Sequence, residues 1–387
     1  MSPLLVVMFV VLFEGLCVGM AFPVLAFFGK ALGGGGIAIG ILFALTPLPK
    51  IVSNGVFGHW SDRAGRKPVM IVATVGGILG SLLWAQSTNL WILAAARLVT
   101  GIFGVHATLA QALAVDVSKV EKRAAAVGLL GASFGIAISL GPIFGGWIAD
   151  AANYATVGYV AAGIETVSLL LIIFLLKEPP RIAVDHGIAP ASTTLGLLRL
   201  PRIVPLLSVI FLTTAASMIL LTVLGPYAEQ LFAFDARKTG YLLGVFGVVG
   251  VLVQGGAVRP LVASFGEWAI CLAGTIILGL GYTVFGLGSA EALLFAGVMI
   301  VGVGASLLAP TQTAQLSRCI GSVGQGGLLG LNQGVTALGR VVGAGLAGAL
   351  MTRSIRLPFV ACAGFAALAV AALLLSRPRP VPAKIES

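Results

Sequence analysis

Charge is scarce in this 387-residue chain: 9% of positions are Asp, Glu, Lys or Arg, against 58% that are hydrophobic. A soluble domain carries about 25% charged residues and keeps a large share of its surface in water. That class is excluded, which leaves the bilayer as the solvent. Cysteine is also sparse. Cys17, Cys271, Cys319 and Cys362 are scattered without a CxxC spacing, which argues against a disulfide framework or a thiolate metal site. There are three histidines and no HExxH or GxxxxGK[ST] string. An intramembrane enzyme and an ATP-driven machine are therefore poor readings, and neither cofactor nor metal is expected. No N-x-S/T sequon occurs.

Glycine is abundant, at 53 residues, as expected where membrane helices approach closely through small side chains. A spanning helix needs about 20 mostly apolar residues. This rule gives twelve segments, roughly 3–29, 37–58, 68–87, 90–113, 124–148, 155–176, 203–225, 239–259, 267–288, 291–313, 325–350 and 356–376. The first is too long for a signal-peptide core and lacks a basic start. The net charge of +10 does not form one patch, so nucleic acid is not an expected partner. With both termini inside, the inner connections hold Arg63, Arg66, Lys67, Lys119, Lys122, Arg123, Lys177, Arg181, Arg199, Arg202, Arg259, Arg318, Arg377, Arg379 and Lys384. The outer ones hold only Lys30, Arg237, Lys238, Arg353 and Arg356. This is a positive-inside signal.

The stretch 177–202 is the longest polar run and divides the chain into six segments plus six. The expected organisation is a bundle over 1–176, a cytoplasmic linker over 177–202, a second bundle over 203–376 and a short tail over 377–387. The halves resemble each other weakly at an offset near 200. Gly65 aligns with Gly266, Gly101 with Gly302, and Gly131 and Gly135 with Gly330 and Gly334. Internal repeats of this size are how many transporters build a central site.

The densest cluster of charge lies in Gly58-His59-Trp60-Ser61-Asp62-Arg63-Ala64-Gly65-Arg66-Lys67-Pro68. This string resembles the signature loop between helices 2 and 3 of the major facilitator superfamily. Arg97-x-x-x-Gly101 is similar to the family's helix-4 motif, and Gly141-Pro142-x-x-Gly145-Gly146 resembles the helix-5 motif associated with its antiporters. The resemblance spans nearly the whole chain and is strongest to twelve-helix drug:proton antiporters, including tetracycline exporters. It implies an all-α membrane fold of two pseudo-symmetric six-helix bundles. It also implies a gate in which Asp62, Arg63, Gly65, Arg66 and Lys67 act with Asp116, an acid that the family bonds to the loop arginine. Glu121 and Arg123 lie nearby. The loop charges read otherwise as topology signals alone. Three positions depart from the tetracycline exporters. The acid of their helix 3 is Gly80 here, a helix-2 glutamine is Lys50, and the helix-1 acid is Glu14 rather than aspartate. The expected cargo is therefore not tetracycline itself.

Charge inside a membrane is costly, by about 2.5 kcal/mol or more at a helix centre. Five such residues stand out. Glu14, near the middle of the first segment, is a candidate for loading and releasing a proton and for touching substrate. Otherwise it is a fixed partner of Lys50 or Arg97. Lys50 follows Pro47-Leu48-Pro49, which should loosen the second segment. It lies about 12 Å from the segment's inner end, and either snorkels or faces a cavity, with Asn54 one turn on. At 100° per residue Arg97 shares a face with Thr108 and Gln111, a polar stripe towards a cavity. The resemblance gives Arg97 a part in proton coupling. On the same rule His106 falls on the opposite face, which argues for packing rather than a relay. Glu165, in the sixth segment, is a second proton site or a structural acid, with a slight preference for the latter. Arg340 shares a face with Gln333 and Thr336, as a cavity wall or an interhelical contact.

The function expected from these residues and the resemblance is proton-driven export of small amphipathic molecules by alternating access. The expected setting is a bacterial inner membrane, with the protein a monomer whose partners are its substrate, protons and lipid. The alternatives are a carrier of an organic or lipid-like anion clamped by Lys50 and Arg340, and a non-transporting sensor on the same fold. A sensor would call for a longer soluble appendage than 377–387.

Overall fold

A computed structural model describes residues 2–119, 122–178, 202–319 and 325–376. Most of the expected linker, the tail and Glu121 lie outside them. The described residues form α1 (Pro3–Ala31), α2 (Gly36–Ala44), α3 (Pro47–Ala64), α4 (Arg66–Ala85), α5 (Leu90–Phe103), α6 (His106–Val117), α7 (Arg123–Ala151) and α8 (Tyr154–Leu175). They continue as α9 (Ile203–Phe232), α10 (Ala236–Leu252), α11 (Val258–Phe265), α12 (Glu267–Leu287), α13 (Glu291–Ser317), α14 (Gln325–Met351) and α15 (Leu357–Leu375). No strand occurs among the described residues.

Eleven stretches are long and apolar enough to cross a membrane, and one of them, Ala236–Leu287, has 52 residues. A straight helix of that length would reach about 78 Å, more than twice the roughly 30 Å of hydrocarbon. Its path is broken at Gly266, where φ is 78°, so it makes two passes. All twelve expected segments are therefore present. Caps set several helix starts. Asn89 Oδ1 accepts from the Trp91 and Ile92 amides, Asn153 Oδ1 from Thr156, and Asp235 Oδ1 from Lys238, each relieving first-turn donors that lack helical partners.

Two segments that the sequence rule reads as continuous are each two helices. The second pass breaks at Leu45–Thr46, ahead of Pro47, whose ring and missing N–H disfavour a continuous helix. The fourth breaks at Gly104–Val105, between α5 and α6. A π turn at Val253–Ala257 interrupts the eighth, over Gln254-Gly255-Gly256.

The repeat is visible in the backbone. Gly65 has φ 104° and ψ 156°, and Gly266 has φ 78° and ψ 159°, a region open almost only to glycine. An ion pair accompanies each turn. Arg66 Nε lies 2.8 Å from Asp116 Oδ2, and Arg318 Nη2 lies 2.8 Å from Glu267 Oε1. The two pairs occupy corresponding places with their signs exchanged.

The two halves of the chain touch at one end, opposite the Gly65 and Gly266 turns. Every polar contact between them among the described residues is there: Lys30 with Glu229 at 2.8 Å, Arg237 with Asp150 at 3.0 Å, and Trp147 Nε1 donating to Tyr241 at 3.2 Å. These exposed pairs are worth about 0–1 kcal/mol each, so backbone packing carries the closure. A Cβ on Gly40 would lie 2.6 Å from the Ala344 carbonyl, and one on Gly348 would lie 2.7 Å from the Gly36 carbonyl. On α7, Gly146 packs on Ala236 and the Pro142 carbonyl abuts Gly240 of α10. Towards the turn-bearing end, Gly55, Gly58, Gly128, Gly131, Gly135, Gly255, Gly330 and Gly334 have nothing within 4 Å. The halves are apart there.

Overpacking the closed end should release it. Gly348→Leu inserts a side chain where a Cβ already meets backbone, a cost of about 1–3 kcal/mol. Spin labels on the facing ends of α2 and α14 should move apart in this variant. An unchanged distance distribution would show that glycine contact does not hold this end.

Candidate functional site

A cavity lies within the first half, lined by residues of α1, α3, α4, α5, α6 and α8 and by Thr46 and Gly104 at the helix breaks. Much of the wall is apolar, with Cys17, Val18, Ala21, Trp84, Val157 and Ala161, and into it project Glu14, Lys50, Arg97, His106 and Glu165.

Glu14 is 9% exposed. Its Oε2 accepts from the Ala107 amide at 3.0 Å, in the first turn of α6. The break at Gly104–Val105 frees these amides, and an anion is favoured at a helix N-terminus. A non-helical backbone is tolerated at this depth where it lines a cavity. The other oxygen, Oε1, lies 3.9 Å from both Lys50 Nζ and His106 Nδ1. Lys50 sits in the first turn of α3, beside the proline break, and reaches across to α1.

His106 is buried against Glu14, which corrects the reading that placed it on the far face. The break between α5 and α6 is the reason: a 100° step cannot be carried through Gly104–Val105. The Thr74 hydroxyl donates its single proton to the Met70 carbonyl at 2.8 Å, so it accepts from His106 Nε2 at 2.9 Å. Nδ1 then faces Glu14 and has no hydrogen-bond partner.

The same break separates Arg97 from the stripe read with Thr108 and Gln111. Arg97 lines the cavity, whereas Thr108 donates to Asn54 Oδ1 at 3.2 Å outside its lining, and Gln111 is exposed. The Arg97 guanidinium lies 5.7 Å from the centre of the Trp84 ring, and its buried Nε has no hydrogen-bond partner. The ring contact returns about 0.5–2 kcal/mol against about 1–3 kcal/mol for an unsatisfied donor.

Glu165 lines the cavity as well, because α8 contributes directly to its wall. Its Oε2 accepts from Ser81 at 3.1 Å, and its carboxyl stands over Gly77, where a Cβ would meet Oε1 at 3.0 Å. Gly80, in place of the expected acid, packs on Thr100, and a Cβ there would lie 2.6 Å from Oγ1. In the second half, Gln333 and Arg340 are exposed on α14 and do not line this cavity.

The residues expected to form a gate converge on Arg66, which is 8% exposed. Its guanidinium contacts Asp62 Oδ1 at 2.6 Å, Asp116 Oδ2 at 2.8 Å and Ser61 Oγ. Arg63 is exposed and joins no ion pair among the described residues. Sequence reasoning missed Glu178. Its two carboxylate oxygens accept from the Arg66 and Lys67 amides at 2.6 and 2.8 Å, capping α4 from the start of the expected linker. Lys67 Nζ donates to the Ile173 carbonyl at 2.7 Å. Within Gly58–Pro68, Gly65 is the tightest point, since a Cβ on it would lie 2.8 Å from Glu178 Oε1; at Gly58 nothing lies within 4 Å. Gly141 and Gly145 pack α7 onto α1 at Gly19 and Met20, while Pro142 and Gly146 face α10.

Two alanine variants separate backbone strain from this clasp. Gly65→Ala and Gly266→Ala both force alanine into an unfavourable φ, at about 1–3 kcal/mol each. Only the first also strikes Glu178. Thermal unfolding in detergent should show Gly65→Ala as the more destabilised. Equal losses would rule out the clasp as a contributor to stability.

The profile of the Major Facilitator Superfamily matches residues 7–326 and 260–387. The class E tetracycline resistance protein of Escherichia coli is 27% identical over 342 residues, covering 86% of this chain and 84% of that protein. Multidrug resistance protein 2 of Bacillus subtilis (strain 168) is 26% identical over 358 residues, covering 90% and 88%. A crystal structure of the nucleoside transporter NupG superposes with a TM-score of 0.83 at 12% identity, covering 97% of this chain and all of that one, which bears on the fold. The chain belongs to the Major Facilitator Superfamily, and it is a membrane transporter rather than an enzyme.

Proposed function

We propose that the protein is a proton-coupled antiporter that exports small amphipathic molecules by alternating access. The setting is a bacterial cytoplasmic membrane, with the turn-bearing end and both termini on the cytoplasmic side, in keeping with the positive-inside count. The observation that carries this reading is Glu14, a protonatable carboxyl buried in the wall of the cavity and shared by Lys50, His106 and the Ala107 amide. Neutralising it weakens its hold on the N-terminus of α6 and frees Lys50, so proton loading changes the cavity that cargo meets. The relatives support export, since their names are those of tetracycline and multidrug resistance proteins. Halves that touch at one end and part at the other suit alternating access.

Glu14→Gln keeps the shape and removes the titration. In proteoliposomes with an imposed pH gradient, this variant should fall to the uptake of protein-free vesicles, while exchange of substrate without a gradient persists. Unchanged gradient-driven transport in Glu14→Gln sinks the assignment of Glu14 as the coupling acid.

A further inference from the structure

We infer that the cavity selects amphipathic molecules that carry an anionic group, and that Arg97 receives that group. The inference rests on the transport reading above and names its class of cargo.

The charges of the cavity are unequally answered. Lys50 has Glu14 at 3.9 Å. Glu165 is met by the Ser81 hydroxyl. Arg97 has no carboxylate within ion-pair distance among the described residues, and its buried Nε has no hydrogen-bond partner. Neither carboxyl of the cavity is paired with Arg97. A guanidinium presents its donors in a planar fork that suits a carboxylate or an acidic enol.

Arg97 is also held in place. Trp84 Nε1 donates to the Tyr154 carbonyl at 2.9 Å, which fixes the ring that faces the guanidinium. The backbone carbonyl of Arg97 accepts from Thr46 at 3.3 Å. Val18, Ala21, Val157 and Ala161 supply the apolar wall for the rest of the molecule. An anion clamp between Lys50 and Arg340 is less suited to this geometry, because Lys50 is committed to Glu14 and Arg340 lies outside the cavity.

The test uses the full-length protein in nanodiscs and matched probe sets: 2-naphthoate, its methyl ester and 2-naphthylmethylamine, with the same three groups on indole and biphenyl. Binding is read by calorimetry. In the wild type each carboxylate should bind at least about tenfold more tightly than its ester, the scale of one charge-assisted contact. Arg97→Gln should abolish that preference and leave ester affinity within about twofold; Arg97→Lys should keep part of it. The wild-type comparison stands by itself if Arg97→Gln does not fold. A panel in which no carboxylate binds more tightly than its ester overturns the inference. So does a preference that survives intact in Arg97→Gln. A protein that shows no preference yet drives transport through Glu14 loses this inference alone. A carboxylate preference without proton-driven transport leaves it standing and removes the coupling proposal.

Discussion

The bond from the Ala107 amide to Glu14 is the contact on which the arrangement of the first half depends. A helix broken inside a membrane leaves first-turn amides without partners and far from bulk water. The chain answers them with a carboxylate from a neighbouring helix. That places a titratable group at the break, and the break lets Arg97 and His106, which an unbroken helix would set on opposite faces, line one cavity. The cavity follows from the same event, since Gly104 and the start of α6 form part of its wall. One backbone interruption thus supplies both the opening and the acid inside it.

The turn-bearing end shows a similar economy. Gly65 reverses the chain in a conformation that most residues avoid, and Glu178 then caps the helix that begins beside it. Arg66 draws Asp62, Asp116 and Ser61 into one cluster, so α3, α4 and α6 end at a common point, and Glu178 adds the end of the sixth pass. All of these groups belong to the first half. The clasp therefore makes that end of the half rigid without bridging to the other half in this state. Closure of the opposite end uses different means, chiefly glycine contacts between backbones.

Much of this was legible in the sequence, for physical reasons that differ by element. The twelve passes followed from length and hydropathy, which the bilayer imposes directly. Asp116 was legible as a partner of the loop because the resemblance carried it, and the pairing of Glu14 with Lys50 was one of two readings left open. The misplaced residues trace to backbone irregularity. His106, Thr108 and Gln111 were assigned faces by a rule that assumes an unbroken helix, and Gly101 and Gly104 were the available warning. Glu165 was legible as a proton site or a structural acid, and its place in the cavity wall was not, because it depends on Gly77 leaving room on α4 for the carboxyl of α8. Glu178 was hidden by its neighbours, as Lys177-Glu178-Pro179-Pro180 reads like the opening of a linker.

The exchanged ion pairs carry a lesson about how duplicated architecture persists. Arg66 and Asp116 in the first half answer to Glu267 and Arg318 in the second. Coulomb attraction is indifferent to which helix supplies the cation, so each half keeps the clasp while the letters differ at both positions. Aligned by residue identity, the two halves register a pair of mismatches at the place where their geometry agrees most closely. Kinship between the bundles is thus written in contacts and in the two left-handed glycines, and a map of paired charges would find it sooner than a comparison of spelling.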